Sequence, residues 1–177
     1  MRMRLKTLRV LVCPRDRRRG VLVAGAIRVP CALGRAGGRL KWREGDGATP
    51  LGVFGLRRVH YRADRIARPR AGLALRRIRS GDWWCDLPDD FAYNRLVTHR
   101  PPPAGSQEWL TREDRLYDII VEIGYNDRPV VRSRGSGIFW HVVRPGFTPT
   151  AGCVATTLEA MQRILPMVGP RTRIRIG

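Results

Sequence analysis

Lysine is nearly missing from this chain of 177 residues: of its 34 Lys and Arg residues, only Lys6 and Lys41 are lysines. Such one-sided arginine usage fits codon bias in a GC-rich genome better than selection for phosphate contacts, so no dedicated nucleic-acid site is expected. Cysteine pairs are missing too. Cys13, Cys31, Cys85 and Cys153 stand far apart with no C-x-x-C, which leaves out the dense disulfide framework of a small secreted domain. His60, His99 and His141 show no zinc spacing against those cysteines, so neither a metal nor a cofactor is expected. No apolar run approaches the roughly 20 residues that cross a bilayer, and no transmembrane segment is expected. The apolar stretches near the start, residues 10–13 and 21–23, are too short for the core of a signal peptide, and none is recognised.

What is abundant is positive charge, +19 from 34 basic against 15 acidic residues. Such a surface attracts polyanions, whether nucleic acid, anionic lipid or an acidic wall polymer. The arginines are scattered, apart from Arg15 and Arg17 to Arg19, so the charge by itself marks no site. Hydrophobic residues make up 43% and charged residues 28%, the balance of a folded domain rather than a disordered chain. The length suits a single domain over 1–177 with a core from about residue 8.

Hydrophobic alternation and turn residues predict strands over 8–12, 21–23, 27–33 and 53–59, and short ones at 40–42 and 73–78. Most of 60–81 reads as irregular connection. Residues 83–90 read as an exposed loop with two anchoring indoles, and the prolines at 101–103 as a stiff break leading to a lid or insertion. Apolar centres over 117–123 and 137–143 suit buried sheet positions. Thr156 and Glu159 form a capping box for a helix that carries Leu158, Met161, Ile164 and Leu165 and stops at Pro166. Residues 171–176 alternate charge and apolar groups as a final strand. The sum is a mainly β domain with one helix near its end.

Residues 137–159 carry the chemistry. His141 ends a strand, and Thr150-Ala151-Gly152-Cys153-Val154-Ala155 lies just ahead of the capped helix. Unpaired amides at a helix start favour thiolate over thiol, which makes Cys153 a candidate nucleophile. Gly152 leaves room for a substrate carbonyl, and amides around Cys153 suit a developing oxyanion. His141 is placed to take the thiol proton and return it to a leaving amine. The competing reading is a small buried cysteine and a core histidine.

Ile138-Phe139-Trp140-His141 followed by Thr150-Ala151-Gly152-Cys153 resembles the catalytic signature of the L,D-transpeptidase (YkuD-like) domain. Residues 41–55, KWREGDGATPLGVFG, resemble its earlier signature. Trp84-Cys85-Asp86, Tyr93-Asn94-Arg95, Tyr117-Asp118 and Gly124-Tyr125-Asn126 resemble a compact proteobacterial branch. The resemblance implies a β-sandwich-like fold and acyl transfer through a cysteine thioester on peptidoglycan stem peptides. Cys153 would be the nucleophile, His141 the general base and acid, and Thr150 and Gly152 the shapers of the oxyanion loop. It also implies a periplasmic or cell-envelope setting, against which stands the unrecognised signal peptide, so a cytoplasmic setting stays open. Transfer to an amine of another stem is the leading reaction. Hydrolysis as an L,D-carboxypeptidase is the near alternative, and a non-catalytic basic module the distant one.

The chain departs from the family where many members carry His before the Gly and Arg or Asn two residues after the Cys; here Ala151 and Ala155 stand there. Arg132, Arg134 or Arg144 is a candidate replacement for the lost carboxylate handle. Tyr125 and Asn126 are further candidates for substrate hydrogen bonds, and Trp83 and Trp84 for the walls of a groove. Core packing suits Trp140 better. His60 and His99 read as surface or loop residues.

Overall fold

A computed structural model describes residues 4–104 and 108–177. Its strands are β1 (Thr7–Val12), β2 (Arg19–Ala24), β3 (Ile27–Ala32), β4 (Gly38–Arg39), β5 (Thr49–Pro50), β6 (Gly52–Tyr61) and β7 (Ala74–Arg77). They continue with β8 (Trp83–Trp84), β9 (Leu96–Val97), β10 (Ile119–Ile123), β11 (Phe139–Val142), β12 (Val154–Thr156) and β13 (Arg173–Ile176). One α-helix, α1 (Leu158–Ile164), lies near the end. The fold is mainly β, as the patterning predicts.

The main sheet runs β10-β11-β12-β3-β2-β1-β13-β6-β7, and a further β10–β6 pairing bends it back on itself. Long β6 makes this closure possible. Its first half pairs with β13, and its second half pairs with β7 on one side and β10 on the other. Strict alternation sets the inner face. In β13, Ile174 and Ile176 are buried while Arg173 and Arg175 are exposed, and β1 turns Leu8 and Val10 inward beside them.

Strand β10 has no such alternation because both of its faces are covered. Ile119, Val121 and Ile123 enter the main core with Trp140, Val154 and Met161. Ile120 points the other way, into a second cluster with Trp84, Leu110, Tyr117, Phe139 and Cys153. The charge-poor run in the sequence therefore reports a layer over the sheet, built from the segment between β7 and β10.

Several expectations need correction. Residues 40–42 are not a strand; pairing falls on Gly38–Arg39, and the chain then turns around Asp46. The segment from Trp83 is no exposed loop: Trp83 and Cys85 are fully buried in a third cluster with Ala92 and Val97, β8 pairs with β9, and Trp84 packs nearly buried into the second cluster. His60 is buried on β6 against Glu122, with Nε2 to Oε1 at 2.5 Å, whereas His99 is exposed. The helix is capped by Thr157, whose hydroxyl accepts from the Ala160 amide, and not by Thr156. Thr156 instead ends β12 and accepts from Trp140 Nε1 at 2.8 Å. The lid or insertion expected beyond Pro103 runs onto residues 105–107, outside the described residues.

Candidate active site

Strands β11 and β12 are parallel neighbours, with Trp140 opposite Val154 and His141 opposite Ala155. Trp140 and Val154 both turn into the main core, so Phe139, His141 and Cys153 share the other face. Cys153 sits one place before Val154, beside Phe139, and His141 is its diagonal neighbour across the ladder. Diagonal side chains on adjacent strands lie within reach of a ring. A separation of twelve residues in sequence thus becomes diagonal placement on one sheet face through register.

Backbone groups hold the sulfur. Cys153 Sγ accepts from the Phe139 amide and donates to the Gly137 carbonyl, each at 3.3 Å. The loop before it is fixed by Thr150, whose Oγ1 accepts from the Gly152 amide at 3.1 Å and donates to the Cys153 carbonyl at 2.7 Å. Gly152 has φ of 149°, and a Cβ there would come 2.9 Å from the Ala48 carbonyl oxygen. Only glycine fits this place without a shift of backbone.

His141 Nδ1 lies 2.8 Å from the Val142 carbonyl oxygen. A carbonyl only accepts, so Nδ1 carries the hydrogen and Nε2 keeps its lone pair. The ring meets Tyr117 edge-on, centroids 5.5 Å apart, and Tyr117 meets Phe139 in the same way at 6.0 Å. The Tyr117 hydroxyl donates to Glu108, and the Arg112 guanidinium lies over the Tyr117 ring, 5.1 Å from its centroid.

Burial sets the charge states. It drives the His141 imidazole down to about 4 and the Cys153 thiol up to about 12. The Phe139 amide and the charges of Lys41 and Arg112 oppose the rise at sulfur, and Glu108 adds to it. Burial also raises the Glu108 carboxyl and lifts the Tyr117 hydroxyl well above its ordinary range. The resting pair is therefore thiol and neutral imidazole. The expected thiolate at a helix start is corrected: β12 separates Cys153 from α1, so no helix amides reach the sulfur.

A cleft of about 510 Å³ opens over this pair and is lined by Cys153, His141, Thr150 and Gly152. Of the arginines proposed from sequence, Arg144 lines it and Arg132 and Arg134 do not. Tyr125 and Asn126 lie elsewhere. The Tyr125 hydroxyl donates to the Arg134 carbonyl, and the Asn126 amide donates to the carbonyls of Val131 and Gly135, so both residues pin the 126–135 loop. Trp83 and Trp84 form no wall of this cleft, and Trp140 is in the core. Sequence reasoning passed over Arg35, Lys41 and Arg112 as cleft cations, and Glu44, Asp86 and Glu108 as cleft acids. Lys41 and Glu44 lie within the KWREGDGATPLGVFG stretch, whose likeness to the family was the available signal; Arg112 had none.

A thiol and a neutral imidazole share one face of the sheet beneath an open cleft, an arrangement suited to cysteine-dependent catalysis. The family model for the L,D-transpeptidase catalytic domain (YkuD) matches residues 7–176, and the chain belongs to that family. Its members act on peptidoglycan stem peptides, typically in the cell envelope. No curated protein and no solved structure matches the chain. Among the described residues no helix is long and apolar enough to cross a membrane.

Proposed function

We propose that the protein is a peptidoglycan L,D-transpeptidase that forms a thioester on Cys153 and passes the acyl group to an amine of another stem. The observation that carries this reading is the β11–β12 register, which sets Cys153 and His141 on one face beneath the cleft.

The chemistry follows from two neutral groups. His141 Nε2 takes the Cys153 proton as sulfur bonds to the scissile carbonyl carbon, so no standing thiolate is needed. The resulting oxyanion is met by amides of the loop that Thr150 and Gly152 shape. Imidazolium then returns the proton to the leaving amine, the C–N bond breaks and the thioester remains. An incoming amine attacks the thioester, gives its proton to Nε2, and sulfur leaves and is reprotonated. Water in place of the amine gives the carboxypeptidase outcome.

Incubation with tetrapeptide muropeptides, followed by mass spectrometry, tests the reading. The expected result is an acyl adduct on Cys153, loss of the terminal residue and a cross-linked dimer. Cys153→Ala should abolish all three. Unchanged activity in that variant ends the proposal, and loss of the terminal residue without dimers selects hydrolysis.

A further inference from the structure

The two lysines of this arginine-rich chain occupy opposite settings. Lys6 is exposed just before β1, whereas the Lys41 side chain is only 2% exposed. Lys41 Nζ meets Asp46 Oδ1 at 2.6 Å, and the same carboxylate accepts from the amides of Trp42, Arg43 and Ala48. The loop is thereby fixed around a single ammonium.

The stem of Lys41 is closely packed as well as its ammonium. The Lys41 stem crosses bare backbone at Gly135, where a Cβ would come 2.2 Å from Lys41 Cε. Glycine at 135 is what lets the lysine stem pass this close to the backbone. The ammonium has three N–H groups, and among the described residues Asp46 is its one hydrogen-bond acceptor. Two donors are left on a buried cation that lines the cleft with Cys153 and His141. These donors face the cleft, where water or a ligand supplies their acceptors.

We propose that Lys41 is an anion-binding residue of the cleft and takes a carboxylate of the peptide substrate. On the thioester reading, on which this identification rests, the carboxylate belongs to the terminal residue that sulfur attack expels. A single carboxylate suits the site better than a polyanion, because Glu44, Asp86 and Glu108 line the same cleft. The charge of Lys41 is felt at Cys153, which agrees with a carboxylate held near the scissile bond.

The scarcity of lysine makes the test direct. In the Cys153→Ala protein, lysine-selective ¹⁵N labelling gives two side-chain signals, assigned with a Lys6→Arg variant. Titration with a stem tetrapeptide should shift the Lys41 signal and leave Lys6 still. The C-terminal amide of the same peptide should bind about 10- to 100-fold more weakly, the range for loss of a charged hydrogen bond. Lys41→Met should bind acid and amide alike. A Lys41 signal that ignores the acid, or equal affinity of the unsubstituted site for acid and amide, would overturn the assignment without any need for the Met variant to fold. If Lys41 responds while intact Cys153 gains no acyl mass, the thioester reading fails and the carboxylate site stands.

Discussion

The buried neutral imidazole of His141 makes fold stability depend on pH over a defined window. An unfolded histidine titrates near 6.5, whereas burial holds His141 near 4 in the folded chain. Below 6.5 the unfolded chain binds a proton that the folded chain refuses, so acid favours unfolding. The contribution is complete above 6.5 and is lost as pH falls toward 4. Its size follows from the two titration points: about 1.4 kcal/mol is lost by pH 5.5, and about 3 kcal/mol by pH 4. Carboxylates held low by arginines, such as Asp114 beside Arg112, add their own acid losses, so the wild-type curve alone does not isolate the histidine. His141→Gln does, because it removes the titration and keeps a polar side chain. Urea denaturation of both proteins at steps from pH 7.5 to 4 should show the wild type losing about 3 kcal/mol more than the variant. Parallel curves would refute the claim that burial keeps this ring uncharged.

The same charge states shape reactivity. Acylation of Cys153 should hold steady from neutrality down to about pH 5 and fall only as His141 charges near 4, read from acyl-enzyme formation by stopped mass spectrometry. Iodoacetamide should alkylate Cys153 near pH 8 more slowly than a free thiol, because burial pushes this thiol up to about 12. Gly152→Ala should cost about 1–3 kcal/mol in a thermal or chemical melt and suppress acylation, since a Cβ there meets the Ala48 carbonyl in a backbone region closed to other residues. Thr157→Ala should cost about 1 kcal/mol through its lost cap, with acylation unchanged. Thr156→Val should cost about 1–3 kcal/mol by stranding the buried Trp140 N–H; a larger effect on helix content than that of Thr157→Ala would reverse the cap assignment.

Alternation and apolar runs made much of the fold legible. Leu8 and Val10, Ile174 and Ile176, and the unbroken centre of β10 all show in the sequence as they lie in the sheet. Trp83 and His60 did not: Trp83 is buried in a small cluster of its own with Cys85, Ala92 and Val97, and His60 lies opposite Ile120 on the face covered by the second layer, and no local pattern announces contacts built from distant segments. The helix start slipped by one residue because two threonines stand side by side. Only the β12 pairing decides that Thr156 points at Trp140 while Thr157 faces the Ala160 amide. The motif of the candidate site was legible, but its electrostatics were not. Proximity to the helix suggested an ionised sulfur, whereas β12 intervenes and burial reverses the sign of the effect. Arg132 and Arg134 were near His141 in sequence, and Tyr125 and Asn126 were candidates for substrate hydrogen bonds, yet the 126–135 loop folds back on its own carbonyls.

Because ladder register rather than the intervening crossover sets Cys153 and His141 on one face, residues 143–149 are free of that task. A lineage of such proteins can lengthen, shorten or recharge this stretch and so reshape what the cleft admits, while Cys153 and His141 keep their register. The protein separates the part that must not drift from the part that can diversify.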